Sequence, residues 1–187
     1  MPNHVSHKLT FDANEAERVF ADCCPDGRFD FNTLVPQPPQ MYRGDLSSED
    51  DEDFKCNWST WNRENWGTKW NAYDCACKVE EGKAIITFDT AWSIPYPVIS
   101  AFANRFGIPF EHRYFDEGHN FWGIEEWGVE RGPLCRTKKR KSSEDDKKAL
   151  CLELKGYDPD ADDDGANAVV QADSRGLMRE VAPGTES

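Results

Sequence analysis

Alternating apolar and polar positions predict several strands along the first 128 residues. The alternation runs from Val5 to Phe11 and from Tyr73 to Val79, and a more fully apolar run covers Ile85 to Thr90. A period of two places successive side chains on opposite sheet faces, so the alternating stretches are half-buried strands and the apolar run is a central strand. Phe110 to Phe115 and His119 to Trp127 are predicted to form a further strand pair.

Helical spacing separates these strands. Apolar residues recur at i, i+3, i+4 and i+7 between residues 16 and 23, which predicts a first helix. A short helix is predicted from Ser59 to Glu64. Another spans Pro95 to Gly107, because proline suits a first helical turn and glycine a helix end. A last helix, capped by Ser143, is predicted to continue through Leu154.

The order of these elements is strand, helix, strand, strand, helix, strand, followed by one more strand and a helix. The first six match the split βαβ, ferredoxin-like plan. We therefore predict an α+β fold, with an antiparallel sheet, helices on one face, a long Trp-rich insertion and an acidic C-terminal tail. The predicted parts are a ferredoxin-like domain at 1–128 with its insertion at 25–72, a basic connector and C-terminal helix at 129–157, and a disordered acidic tail at 158–187.

Acidic residues give the chain a formal net charge of −13, but they concentrate in two runs. Residues 45–53 hold six acids and no base, and residues 158–164 hold five acids and no base. Such runs are either solvated segments or contacts for a basic partner. Phosphate binding needs clustered Lys and Arg, and the one basic cluster, Lys138 to Lys141, is short. We therefore do not expect nucleic acid as the main partner.

The sequence also indicates a compartment. No apolar run approaches the length needed to span a bilayer, and the N-terminus lacks the basic and apolar regions of a secretion signal. The seven cysteines form no CxxC pair. These features are typical of reduced thiols in a cytosol. We expect a cytoplasmic protein that needs no membrane and no cofactor.

The stretch from Asn65 to Tyr73, NWGTKWNAY, is the most distinctive in the chain. Aromatic residues beside amides and a cation form either a hydrogen-bonded structural corner or a recognition surface. Trp58 and Trp61, which lie three residues apart among small polar residues, are our candidates for exposed anchors. The candidate partner-binding residues are Trp58, Trp61, Asn65, Trp66, Lys69, Trp70, Asp50, Asp51, Glu52 and Asp53.

A weak candidate cation site lies in the acidic tail. Asp160, Asp162 and Asp164 occupy positions 1, 3 and 5 of a partial calcium-loop pattern, and glycine follows at position 6. The twelfth position should be a bidentate glutamate, but it is Gln171. A tail that binds no metal is therefore the stronger expectation.

Two histidines, His112 and His119, could support acid–base chemistry with the acids of residues 111–117. The same histidines could face Cys75 and Cys77 as zinc ligands, although buried free thiols are the stronger expectation. No motif of a serine hydrolase, P-loop enzyme or zinc protease is present. A small hydrolase and a nucleic-acid-binding ferredoxin-like module are thus the two alternatives to a protein-binding role.

Several segments together carry a resemblance to a known family. They are Met1-Pro2-Asn3, Phe29 to Asn32 with Pro36, Asn65 to Ala72, Thr90 to Ser93 with Pro95 and Pro97, Tyr114, Glu117-Gly118, Phe121 and Gly123. Over roughly residues 1–128 the chain resembles the phage- and plasmid-borne proteins grouped as the YubB ferredoxin-like domain family. The resemblance implies a ferredoxin-like fold and a mobile-element origin. It implies no catalytic residues, because the family has none that are agreed.

Small accessory proteins of phages and plasmids often act on host proteins, including defence systems. We therefore expect a non-enzymatic accessory protein that binds a host protein with a basic surface, through tryptophan anchors and acidic clusters. Inhibition of a nucleic-acid-processing defence system, as by an anti-CRISPR protein, is one outcome that such binding allows.

Overall fold

The structure is a computed structural model that describes residues 3–45, 57–128, 135–140 and 143–160. The strands in these ranges are β1 (His4–Asp12), β2 (Tyr73–Glu80), β3 (Lys83–Ala91), β4 (Phe110–Asp116), β5 (Trp122–Gly128) and β6 (Cys135–Arg140). The α-helices are α1 (Ala16–Cys23), α2 (Phe31–Leu34), α3 (Trp58–Asn65), α4 (Tyr96–Phe106) and α5 (Glu144–Lys155). No helix in the described ranges is both long and apolar enough to cross a bilayer.

All six strands form one sheet in the order β2-β3-β1-β4-β5-β6, with antiparallel neighbours throughout. The first four strands in this order have the ferredoxin-like arrangement, so the predicted α+β, ferredoxin-like fold is confirmed. β1 lies between β3 and β4, where His7 pairs with Phe88 on one side and with Tyr114 on the other. β5 and β6 extend the sheet beyond the ferredoxin-like unit.

The main hydrophobic core lies between one sheet face and helices α1 and α4. Leu9, Ile86 and Phe88 point into it and are at most 1% exposed. The ring centroid of Phe102 in α4 lies 4.8 to 6.3 Å from those of its aromatic neighbours Phe11, Phe29, Phe106 and Phe110. The apolar face predicted for α4 therefore forms the centre of this core.

The placement of α5 differs from the prediction that the helices share one sheet face. Leu150 of α5 is buried with Phe115 in a second, smaller cluster. Glu153 of α5 pairs with Lys8 of β1 at 2.7 Å and with Arg113 of β4 at 2.6 Å. Lys8 and Arg113 point to the sheet face away from the main core, because neighbouring residues of a strand point to opposite faces. The helix α5 therefore covers that second face. The pattern of a helix shows which side it buries but not which sheet face receives it.

The predicted basic connector contains a strand that the sequence pattern did not reveal. Cys135–Arg140 pairs antiparallel with β5 as β6. Its residues show no apolar alternation, so backbone hydrogen bonds to a preceding strand define it. The strand predicted from His119 also begins later, at Trp122, because His119 lies in the turn with a φ of 58°.

Truncation of Phe102 tests the assignment of the main core. Phe102→Ala removes a fully buried ring and should lower the free energy of unfolding by about 3–5 kcal/mol. Val79→Ala is the control, because Val79 is 54% exposed on β2 and its loss should stay within about 0.5 kcal/mol. Urea unfolding measures both. If Phe102→Ala does not fold, Phe102→Leu should show a smaller loss. Equal stability of the Phe102 and Val79 variants would contradict this core.

Candidate functional site

The Trp-rich stretch docks against the loop that follows β3. The Thr68 hydroxyl donates a 2.9 Å hydrogen bond to the Ala91 carbonyl, and the Ser93 hydroxyl donates one of 2.5 Å to the Gly67 carbonyl. Gly67 has a φ of 78°, and a Cβ added there would lie 3.0 Å from Cδ of Pro97. Only glycine fits this close approach without strain. We call this contact the Gly67 interlock.

Amide side chains fix the rest of the stretch. Nδ2 of the buried Asn62 donates to the Lys69 carbonyl at 2.8 Å, and its Oδ1 accepts from Nε2 of Gln37 at 2.5 Å. Oδ1 of Asn71 accepts from the Phe31 backbone N–H at 2.9 Å. The Asn62 amide therefore holds the backbone at Lys69, and the Asn71 amide ties the stretch to the start of α2. This part of the motif forms a hydrogen-bonded structural corner.

Three of the predicted partner-binding residues instead pack and form hydrogen bonds within this corner. Trp66 is 1% exposed and donates its indole N–H to the Val35 carbonyl at 2.8 Å, so it is a core residue and is not available to a partner. Trp61 is partly buried and packs edge-on against Trp66, with centroids 5.7 Å apart. Asn65 donates to the Trp61 carbonyl at 2.9 Å. The prediction that Trp58 and Trp61 are exposed anchors is therefore corrected, since both are half-buried. Trp61 packs against the main core, and Trp58 uses its indole N–H in a hydrogen bond to Gly44.

The other tryptophans of this region form a surface cluster around one lysine. Nζ of Lys69 lies 5.8 Å from the ring centroid of Trp58, 5.9 Å from that of Trp70 and 5.8 Å from that of Trp92. Attraction between a cation and a ring face extends to about 6 Å. Trp70 and Trp92 also contact each other, with centroids 5.6 Å apart. We call Trp58, Lys69, Trp70 and Trp92 the indole cage.

Trp92 is the most exposed member of the indole cage, and sequence reasoning did not include it in the site. It is 46% exposed and has a φ of 63°, in the left-handed region. Its backbone N–H donates to the Asn3 carbonyl at 2.9 Å. A cleft of about 370 Å³ opens beside it and is lined by Arg63, Thr68, Lys69, Ala91, Trp92 and Ser93. The recognition-surface interpretation therefore applies to the cage rather than to Trp61 and Trp66.

Trp58 of the cage is bonded to the chain that precedes the first acidic run. The indole N–H of Trp58 donates to the Gly44 carbonyl at 3.0 Å, and its backbone N–H donates to the Tyr42 carbonyl at 3.0 Å. The predicted contacts Asp50, Asp51, Glu52 and Asp53 belong to that run and lie outside the described residues.

A chain of polar side chains is buried on the sheet face that forms the main core. Nδ1 of His7 lies 3.0 Å from Nε2 of His112, and Nε2 of His7 lies 2.8 Å from Oγ1 of Thr90. The Thr90 hydroxyl donates its one hydrogen to the Ser93 carbonyl at 2.7 Å, so it must accept from Nε2–H of His7. Nδ1 of His7 then accepts from Nε2–H of His112.

This order leaves Nδ1 of His112 facing Oε2 of Glu125 at 3.5 Å. The other oxygen of Glu125 accepts from the Tyr96 hydroxyl at 2.7 Å. Burial and the bond to Glu125 raise the pKa of Tyr96, so the hydroxyl stays a donor. Nδ1 of His112 and Oε2 of Glu125 form an ion pair only when His112 is protonated, and burial opposes that protonation.

The two buried histidines resist taking up further protons. Burial, followed by the nearby charges of His112 and Lys155, lowers the pKa of His7 well below its ordinary value. Burial also lowers the pKa of His112, although Glu125 opposes that shift. A second proton on His7 would face the donor N–H of His112. The network therefore favours neutral His7.

The structure does not bring His112 and His119 together. His112 is 0% exposed beneath the main face, so a substrate reaches it only if the domain opens. His119 lies in the turn between β4 and β5, where Nε2 is 3.1 Å from the Tyr157 hydroxyl. Its ring packs on Phe115, on the α5 side of the sheet. The hydrolase alternative therefore lacks a shared site for these two residues.

The candidate metal sites gain no support. Asp162 and Asp164 lie outside the described residues, and the Asp160 carboxylate lies 4.0 Å from Nζ of Lys148. Within the described ranges, no group of three or more His, Cys, Asp or Glu side chains is placed to hold a metal ion. Cys75 instead lies against the main core, with Sγ 3.7 Å from the Phe29 carbonyl.

The sheet face beside α5 bears on the nucleic-acid alternative. A cleft of about 450 Å³ lies there between β1, β2, β3 and the end of α5. Its charged lining comprises Lys8, Lys78 and Lys155 together with Asp74, Asp89 and Glu153. The two signs balance, whereas phosphate contacts need an excess of Lys and Arg. This face therefore does not favour nucleic-acid binding.

A pair of glycine substitutions tests the Gly67 interlock. Gly82→Ala adds a side chain at a φ of 75° with open space around it, and it should cost about 1–2 kcal/mol of unfolding free energy. Gly67→Ala carries the same backbone strain at 78° and also meets Pro97, which should add about 1–3 kcal/mol. Urea unfolding of both variants compares them. Equal losses would show that the close approach does not constrain the fold.

Acid should weaken the fold through the buried histidines. The folded-state pKa of His7 and His112 lies below the unfolded value of about 6.5, so below that pH the unfolded chain binds more protons. The free energy of unfolding should be level above about pH 7.5 and fall from about pH 6.5 to pH 5, by up to about 1.4 kcal/mol per pH unit for each histidine. Urea unfolding at constant ionic strength measures this.

A His7→Gln/His112→Gln variant that folds is the control for this pH dependence, and it should lose less stability over the same range. A wild-type unfolding free energy that stays level or rises as the pH falls through this range would contradict the buried neutral histidines.

A match to a protein-family model supports the ferredoxin-like fold. Residues 65–149 match the family model described as the ferredoxin-like domain in Api92-like protein. Among solved structures, the crystal structure of Api92 from Yersinia pseudotuberculosis is similar at 12% sequence identity and a TM-score of 0.38, with 46% of this chain and 31% of that chain covered. The match thus spans about a third of Api92. No curated protein matches the sequence. The chain therefore contains a ferredoxin-like domain similar to that of Api92-like proteins.

Proposed function

We propose that this protein is a non-enzymatic accessory protein of phage or plasmid origin that binds a host protein non-covalently. The indole cage would supply the apolar contact. The observation that carries the proposal is the clustering of Trp58, Trp70 and Trp92 around Lys69 at the surface. Tryptophan is enriched among the few residues that carry most of the energy of protein interfaces.

The backbone at Trp92 supports a role beyond stability. A non-glycine residue in the left-handed region costs about 1–3 kcal/mol, and such strain clusters at functional positions. Trp92 adopts this conformation with 46% of its surface exposed. Folding alone would favour glycine or asparagine at such a position. The position therefore keeps a strained, exposed indole that the core does not need.

The acidic run supports a partner with a basic surface. Residues 45–53 hold six acids and no base. Long-range attraction between opposite charges raises association rates and weakens as salt screens it. An acidic run and an aromatic surface in one protein thus combine steering with a short-range contact.

A nucleic-acid-processing defence enzyme fits this description of a host partner. Such an enzyme has a basic channel for phosphates, and the carboxylates of Asp50, Asp51, Glu52 and Asp53 would occupy the positions of phosphate charges. Occupation of that channel would inhibit the enzyme without any bond being made or broken.

Quantitative affinity capture tests the proposal. The wild-type protein, Trp92→Ala and Val79→Ala would be used as baits in host lysate, and captured proteins would be quantified by mass spectrometry. A hot-spot residue contributes about 2 kcal/mol or more, so Trp92→Ala should reduce capture of the specific partner by about 30-fold. Val79→Ala should retain it, because it removes exposed apolar surface on a different part of the sheet. Equal capture by the two variants would refute binding through the cage.

Binding kinetics with the captured partner test whether the acidic run speeds association. Joint replacement of Asp50, Asp51 and Asp53 by Asn and of Glu52 by Gln should slow association and flatten its salt dependence. Stopped-flow or surface-based kinetics at several salt concentrations would show this. An unchanged association rate with an unchanged salt slope would rule out steering by this run.

A further inference from the structure

The three indoles of the cage already hold an ammonium group. Nζ of Lys69 lies over the rings of Trp58, Trp70 and Trp92, at 5.8 to 5.9 Å from each centroid. These distances lie near the outer limit of about 6 Å for the attraction between a cation and a ring. Lys69 therefore faces all three rings without approaching any of them closely.

We infer that the indole cage is a binding site for a lysine ammonium of the protein partner, with Lys69 as the internal occupant that this ammonium replaces. The inference rests on the proposed function and names the group that the cage recognises. Several aromatic faces around one point suit a compact ammonium, with or without methyl groups, whereas a planar guanidinium stacks on one ring.

The anchoring of Lys69 allows the exchange. Its backbone carbonyl is held by Nδ2 of Asn62 at 2.8 Å, so the main chain stays in place. Its side chain has four rotatable carbon–carbon bonds and can swing into solvent through the cleft beside Trp92. A departing Lys69 would thus leave the three indoles where the fold holds them.

The charge in the cleft also permits the exchange. Arg63 lines the same cleft. Replacement of one ammonium by another leaves the total charge unchanged. The six acids of residues 45–53 attract an incoming lysine at long range, which agrees with a partner that has a basic surface.

A pair of small probes that match in shape and differ in charge tests the cage directly. Choline carries a trimethylammonium group, and 3,3-dimethylbutan-1-ol has the same shape without the charge. Both would be titrated into the full-length wild type, Lys69→Ala and Lys69→Ala/Trp92→Ala, and the indole N–H signals would be followed in ¹H–¹⁵N NMR spectra. Unfolding curves of all three proteins would confirm that they are folded.

We expect choline to shift the cage indole signals of Lys69→Ala at a concentration at least tenfold lower than in the wild type. The neutral alcohol should need at least tenfold more than choline, and removal of Trp92 should abolish the choline effect. Equal effects of choline and the alcohol would show a merely apolar cleft and overturn the inference. Equal choline binding by the wild type and Lys69→Ala would show that Lys69 does not occupy the site, and would also overturn it.

The partner distinguishes this inference from the proposed function. Lys69→Ala should bind the captured partner several-fold more tightly, because no internal lysine competes. If choline fills the cage but no cage variant alters partner binding, the cage binds ammonium groups but not a lysine of this partner, and the proposed function fails at this surface. If partner binding requires Trp92 while choline and the alcohol act alike, the proposed function stands and the ammonium inference fails.

Discussion

The contact between Gly67 and the loop after β3 is the constraint on which the surface of this protein depends. The Thr68 hydroxyl bonds to the Ala91 carbonyl, and the Ser93 hydroxyl bonds to the Gly67 carbonyl. The two segments approach so closely that a Cβ added at Gly67 would lie 3.0 Å from Pro97. One side of this contact buries Trp66 in the core. The other side presents Trp70 and Trp92 around Lys69. A single interlock thus supports packing on one side and recognition on the other.

The buried histidine network holds the same loop from inside. Ser93 accepts from Thr90 through its carbonyl and donates to Gly67 through its hydroxyl, so it links the network to the interlock. Tyr96, at the start of α4, binds Glu125 of β5. The bonds of Tyr96 to Glu125 and of Thr90 to Ser93 therefore hold both ends of the loop that carries Trp92. The network has a structural role in the cage, although its residues are of the types that perform catalysis elsewhere.

Local patterns in the sequence determined most of the fold. Period-two alternation identified the strand that begins near Val5, and the placement of prolines and Gly107 defined α4 within a residue or two. The capping box of Ser143 and Asp146 is present at the start of α5 as predicted. These features depend on residues close together in the chain, so they are readable without coordinates. The order of elements then sufficed for the ferredoxin-like arrangement, since few sheet orders connect such a succession.

Tertiary structure alone decided which aromatic residues are buried and which sheet face each helix covers. Trp66 and Trp92 are the same residue type in similar polar surroundings, yet one is 1% exposed and the other 46%. That difference arises from contacts between segments about 25 residues apart, which no local period encodes. The sheet face under α5, the pairing of β6, and the meeting of His7, His112 and Glu125 likewise depend on strand register across the whole sheet. The sequence by itself determined the elements and their order, and long-range packing decided the site.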